Sequence, residues 1–183
     1  ITHYADSDGD GFGADSSTAT SCNVPAGNVL QGGDCDDSDP FSNPATIEFC
    51  DGADNNCDGS VDENTAIDTS IWFLDGDVDG YGNASSTIEA CVQPSGYVDN
   101  ANDCDDSTDT ISPVAVESCN SIDDNCDGTI DEEGATGSTL FYEDRDEDGY
   151  GDASSTIEAC SQPTGFSHDS TDCDDNNDSI NPG

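Results

Sequence analysis

The stretch Asp54 to Glu63, DNNCDGSVDE, puts oxygen-bearing side chains at alternate positions and a glycine just after them. That spacing suits a hard cation, with ligands from positions 1, 3 and 5, a Gly at 6 for the sharp turn, a carbonyl from 7 and a closing carboxylate beyond. Here the residues are Asp54, Asn56 and Asp58, then Gly59 and Ser60, with Asp62 or Glu63 to close the shell. Asp123, Asn125, Asp127, Gly128, Thr129, Asp131 and Glu132 repeat the pattern. Cys57 and Cys126 fall at position 4, whose side chain points away from the ion, so a thiol there is free to be bridged.

A second loop type follows the same logic. Its members are Asp6, Asp8, Asp10, Gly11 and Phe12; Asp75, Asp77, Asp79, Gly80 and Tyr81; and Asp144, Asp146, Asp148, Gly149 and Tyr150. Ser17, Ser86 and Ser155 stand where a full EF-hand loop has its bidentate Glu, so a remote carboxylate must complete the shell. The Asp-Cys-Asp-Asp segments are the expected source: Asp34, Asp36 and Asp37; Asp103, Asp105 and Asp106; Asp172, Asp174 and Asp175. With Asp39, Asp109, Asp178 and Asn181, and with Glu48 or Glu117, they would also build a middle site. Numerous, flexibly spaced hard oxygens favour calcium over magnesium, which demands octahedral geometry, and over zinc or copper, which want imidazole or thiolate. His3 and His168 do not recur in register. Three sites in each full repeat and two in the last make about eight calcium ions per chain.

These motifs recur at a fixed interval. Asp6, Asp75 and Asp144 are each 69 residues apart, and the stretch ASSTIEAC occurs verbatim at 84–91 and 153–160. The chain therefore divides into repeats 1–69, 70–138 and a truncated 139–183, a tandem array in which each unit mainly contacts its neighbours. No window shows apolar residues at helical spacing. The strand candidates open each repeat, at Thr2 to Ala5, Ile71 to Leu74 and Leu140 to Glu143, where β-branched and aromatic residues concentrate. Val61 and Ile130 are candidates for single bridges. The fold class is thus a mostly irregular, all-β-leaning tandem-repeat rod with little helix, its aromatics forming small packing clusters between units.

Composition explains why such a fold needs ions and crosslinks. Forty-three Asp and Glu against one Arg and no Lys give a formal charge of -42, and only 31% of residues are hydrophobic. A core that thin cannot offset the ordering entropy of 183 residues. Eight divalent ions would add +16 and leave -26. Ten cysteines point to disulfides in an oxidising compartment. Four per repeat allow three connectivities. Local closure is the economical one: Cys22–Cys35, Cys91–Cys104, Cys160–Cys173, Cys50–Cys57 and Cys119–Cys126. No segment reaches the roughly 18 apolar residues of a membrane span. With no signal peptide at Ile1 and no initiator Met, the expectation is a processed product or a window from a longer chain.

The run from Asp34 to Glu63, DCDDSDPFSNPATIEFCDGADNNCDGSVDE, and its partner from Asp103 to Glu132 resemble the metal-binding repeats of the MopE-type family of bacterial surface and secreted proteins. The Asp-x-Asp-x-Asp-Gly-x-Gly loops are similar to thrombospondin type 3 repeats, which wrap disulfide-linked chain around calcium. The MopE-type label carries a copper association. Only the calcium-like ligand pattern is carried over, at the positions given above.

The expected function is that of an extracellular or cell-surface calcium-binding structural protein, a stiff rod or a polymerising fibre whose partner is a further copy of itself, head to tail. The alternative is a calcium-dependent adhesin or a spacer module of a larger surface protein. No repeated nucleophile–base pair marks an enzyme, and the charge excludes nucleic acid as a partner. Two sequons, at Asn83 and Asn177, permit glycans.

Overall fold

The computed structural model describes residues 1–182. Its regular structure is strand: β1 (Thr2–Ala5), β2 (Phe12–Ala14), β3 (Ala19–Thr20), β4 (Asn28–Val29), β5 (Gln31–Asp34), β6 (Ser70–Leu74), β7 (Asn83–Ala90), β8 (Tyr97–Val98), β9 (Thr139–Glu143), β10 (Asp152–Ala159) and β11 (Phe166–Ser167). Among the described residues the one helical element is a 3-10 turn at Asp15–Ser17, and no helix is long and apolar enough to cross a membrane. Two compact units form, Ile1–Leu74 with Ser85–Asp99 and Asp75–Ala84 with Asn100–Gly183.

Each repeat builds one three-stranded sheet with its opening strand at the centre. The orders are β3-β1-β4, β7-β6-β8 and β10-β9-β11. The three central strands are those expected, because only there do side chains such as Tyr4, Trp72 and Phe141 offer enough apolar surface to pair across. Phe141, 2% exposed, is the largest buried apolar side chain and packs on His168 with ring centroids 4.4 Å apart. The Trp72 indole N–H donates to the Ala90 carbonyl at 3.0 Å. The rest of the apolar core is Ala66, Ala90, Ile111 and Ala135, far too little to hold the chain by burial alone. Val61 and Ile130 make no bridge; both are exposed in bends, because the Gly before them serves the acidic loop rather than a ladder.

One contact positions the acidic loops. After leaving the sheet, the chain returns so that the Asp-Cys-Asp-Asp segment lies against the residues that follow the first loop. In the first repeat β2 and β5 pair in parallel, Phe12 with Gln31 and Gly13 with Gly32. In the others the pairing shrinks to a parallel bridge, Asn83–Asp103, and an antiparallel one, Asp152–Thr171, with the Asp103 and Asp172 amides donating to the Gly82 and Gly151 carbonyls at 3.2 Å. The second Gly of the motif has a steric cause: a Cβ on Gly13 would stand 2.8 Å from the Cβ of Tyr4, and one on Gly151 would stand 2.7 Å from that of Tyr142.

The disulfides correct the expectation of local closure. Cys35 pairs with Cys57 and Cys104 with Cys126; Cys50 pairs with Cys91 and Cys119 with Cys160. Cys22 and Cys173 are free and exposed. Position 4 of the acidic loop is left-handed at Cys57 and Cys126, φ 58° in both, which aims the thiol off the loop and toward the Asp-Cys-Asp-Asp segment, away from the nearby Cys50 or Cys119. The other pair then links one repeat to the next. Loops of 22 and 41 residues correspond to about 3–4 kcal/mol each in the chain-entropy description. Maleimide labelling of the unreduced, denatured protein should modify two thiols, Cys22 and Cys173. Peptide mapping should recover the 35–57 and 50–91 crosslinks. Labelling of any other cysteine would refute this pairing.

Candidate metal centre

In the Asp-x-Asp-x-Asp-Gly loops the two oxygens of a carboxylate have separate tasks. Asp8, Asp77 and Asp146 each accept, through Oδ1, the backbone N–H two residues on, at 3.2, 3.2 and 3.3 Å. Asp10, Asp79 and Asp148 do the same at 2.7, 2.8 and 3.0 Å. The first Asp of each Asp-Cys-Asp-Asp segment repeats it, Asp34, Asp103 and Asp172 capping Asp36, Asp105 and Asp174 at 2.8, 2.9 and 3.2 Å. In all nine residues Oδ2 is buried and has no hydrogen-bond partner, and the same holds for Asp144 Oδ1 and Asp175 Oδ2. One oxygen shapes the turn; the other is left for a cation, since a buried lone pair without a donor is costly.

The last Asp of each segment is tied to the loop by the amide of loop position 2: Ser7 to Asp37 at 2.9 Å, Gly76 to Asp106 at 2.6 Å, Arg145 to Asp175 at 2.9 Å. Carboxylates distant in sequence thereby converge. Asp6, Asp8 and Asp10 form one group with ligand oxygens within 4.8 Å of one another. Asp75, Asp77 and Asp106 form a second, Asp77, Asp79 and Asp103 a third that shares Asp77, and Asp144, Asp146 and Asp175 a fourth. The remote carboxylate demanded by the missing loop Glu is thus present in the second and third repeats.

Electrostatics mark the strain in these groups. Burial first, and neighbouring carboxylates after it, push Asp8, Asp34, Asp77, Asp103 and Asp146 above the usual Asp range. The lone cation sits beside the fourth group. Arg145 forks onto Glu143, Nε to Oε1 and Nη2 to Oε2, both at 3.1 Å, and its Nε lies 4.0 Å from Asp175 Oδ2. Hydrogen bonds from Ser155 and then Arg145 hold the Glu143 carboxyl below its ordinary value.

The Cys-Asp-Gly loops keep the same backbone. Position 4 is left-handed in Gly9, Cys57, Val78, Cys126 and Glu147, and position 6 in Gly11, Gly59, Gly80, Gly128 and Gly149, so all five loops share one turn. Their ligands are arranged differently. Asp54 and Asp123 spend both oxygens on loop amides. Asn56 and Asn125 donate to Glu63 and Glu132 at 2.8 and 2.7 Å, whose other oxygens are buried and unpartnered. Asp58 and Asp127 cap Ser60 and Thr129. Asp62 and Asp131 brace the segment before the loop through Gly52 and through Asn120 with Ser121.

The other residues assigned to a middle site stand on turns and inside the Cys-Asp-Gly segments. Asp36 and Asp105 are exposed and cap Ser38 and Ser107; Asp39 caps Phe41. Asp109, Asp174, Asp178 and Asn181 lie on the surface turns that follow, with only Asn181 partly buried. Glu48 and Glu117 are buried inside the Cys-Asp-Gly segment. Glu48 Oε2 accepts the Asn55 and Asn56 amides at 3.1 Å and Oε1 the Asp62 amide at 3.2 Å. Glu117 does likewise with Asp124, Asn125 and Asp131 at 3.0, 3.2 and 3.1 Å. Spacing alone does not reveal a carboxylate at the hub of three amides; its one signal is a Glu six positions before the loop, directly after an apolar residue.

No curated protein and no solved structure matches the chain. The family model Cu-binding MopE, described as a "Putative metal-binding motif", matches residues 34–63, 103–132 and 172–183. Those spans hold the Asp-Cys-Asp-Asp aspartates that complete the carboxylate groups, and the first two are the runs that resembled this family. The chain is therefore a disulfide-bonded tandem-repeat protein in which three stretches match the Cu-binding MopE motif.

Proposed function

We propose that this protein binds calcium, about eight ions per chain, and serves as a structural element outside the cell. The observation that carries the reading is the split carboxylate, one oxygen capping the loop and the other buried without a partner, in nine aspartates. Within the loops and the Asp-Cys-Asp-Asp segments the unpartnered atoms are all hard oxygens; His3, whose Nε2 pairs with Ser21 and whose Nδ1 is buried without a partner, lies outside those segments, and His168 packs on Phe141. That donor set fits calcium better than copper or zinc. Disulfides favour an oxidising compartment, hence the cell surface or exterior. The Cys50–Cys91 and Cys119–Cys160 links between successive repeats suit a load-bearing rod or fibre, with further copies of the chain as partners. Enzymatic activity has no place in this reading, since the converging acids have ligand roles.

Asp77 is the test position, because two groups share it. Asp77→Asn keeps an oxygen to cap Asp79 and so preserves the turn, but removes one charge and one ligand oxygen. Calcium titration calorimetry should then show at least one ion fewer, or about a tenfold weaker site. An unchanged isotherm, or no calcium uptake by the parent protein, would refute the proposal.

A further inference from the structure

We infer that Arg145 grades the array, making the third repeat's cation site the weakest, filled last and emptied first. This rests on the reading of the loops as calcium sites and adds a rank order to it.

Loop position 2 is Ser7, Gly76 and Arg145 in the three repeats. Its backbone role is constant, the amide donating to the last Asp of the partner segment. Its side-chain role differs. Ser7 Oγ donates a neutral hydrogen bond to Asp37 Oδ2 at 2.6 Å, and Gly76 offers nothing. Arg145 brings the only Arg or Lys charge in the chain to 4.0 Å from Asp175 Oδ2. That oxygen is buried and free of hydrogen bonds, in a residue 8% exposed, and Asp175 groups with Asp144 and Asp146. The fork onto Glu143, itself held by Ser155 at 2.7 Å, fixes the guanidinium there.

A fixed positive charge beside a divalent-ion site acts twice. It repels the entering ion, and it already offsets part of the carboxylate repulsion that the ion would relieve. Glu143 offsets part of this charge through the fork and so lessens the effect. The guanidinium is 58% exposed, so water screens it and the penalty should be about tenfold in affinity and smaller at high salt.

The test uses the full chain and calcium itself. Arg145→Gly and Arg145→Ser install the residues found at the same position in the other loops, so neither strains the backbone; Arg145→Lys retains the charge. Calorimetry of the parent should resolve one site about tenfold weaker than the rest. Gly or Ser should bring that site into the tighter class, and Lys should leave most of the gap. Raising the salt to about 1 M, where the screening length is near 3 Å, should close the gap in the parent. Isotherms identical for the parent and Arg145→Gly, with calcium bound in both, would overturn the role of Arg145 alone. Absence of calcium binding in both would overturn the functional reading beneath it.

Discussion

Stripping calcium at neutral pH should open the chain into an expanded, disulfide-tethered coil, with loss of the near-ultraviolet signal of Trp72 and a large rise in the radius of gyration. Folded domains keep a net of about 5–15 kcal/mol. An ion held at a hundred times its dissociation constant adds about 2.7 kcal/mol, so three such ions alone supply about 8. Here the apolar core is three alanines, Ile111 and Phe141, and the bare chain carries -42. The single Arg offsets little of that repulsion. The disulfides limit the expansion but do not order the loops between them.

The pH dependence of the metal-free form gives this prediction a second signature. Asp8, Asp34, Asp77, Asp103 and Asp146 have folded-state values raised by burial and by one another. A carboxyl raised in the fold adds stability that is complete below its unfolded value, near 3.9, and is lost as pH rises through the folded value. Metal-free protein should therefore hold more structure near pH 4–5 than at neutrality. The calcium form should do the opposite, since protons displace the ion as pH falls. Circular dichroism and small-angle scattering on protein desalted after chelation would check both. A metal-free sample as compact at neutral pH as the calcium form would refute the claim that ions organise this fold.

What could be read from the sequence was whatever local chemistry decides. The turns of the five loops follow from Asp, Asn and Gly at fixed offsets, and the central strands β1, β6 and β9 from their aromatic and β-branched residues. The long strands β7 and β10 leave little trace because Asn83, Ser86, Ile88 and Ala90, and their counterparts, are the positions less exposed than the rest; an alternation whose apolar part is one Ile and one Ala is too faint to see. The disulfides were misassigned for another reason. Proximity along the chain favoured Cys50–Cys57, whereas the pairing is set by where the Asp-Cys-Asp-Asp segment docks, which is a tertiary fact. The same docking supplies Asp106 and Asp175 to the carboxylate groups, and there the sequence did speak, through the loop Glu that Ser86 and Ser155 replace.

Replacing Glu48 should cost more than replacing any single ligand Asp. The side chain is 2% exposed and holds the amides of Asn55, Asn56 and Asp62, which flank the left-handed Cys57 and Asp62 at φ 58° and 54°. Glu48→Ala strands three donors, one buried and two partly so, and opens a cavity, for a loss of about 3–5 kcal/mol. Glu48→Gln keeps the shape but turns an N–H toward a donor, for about 2–3 kcal/mol. Hydrogen exchange should quicken at those three amides, and the Cys35–Cys57 bond beside them should reduce more readily. Calcium separates an anchor from a ligand. Losing an ion would enlarge the deficit by about 1.4 kcal/mol for each tenfold rise in free calcium. An anchor's deficit stays constant, because the ions still bind once the loop is formed. Denaturant melts at two saturating calcium concentrations should give the same difference between parent and Glu48→Gln, and a difference that grows with calcium would place Glu48 among the ligands after all.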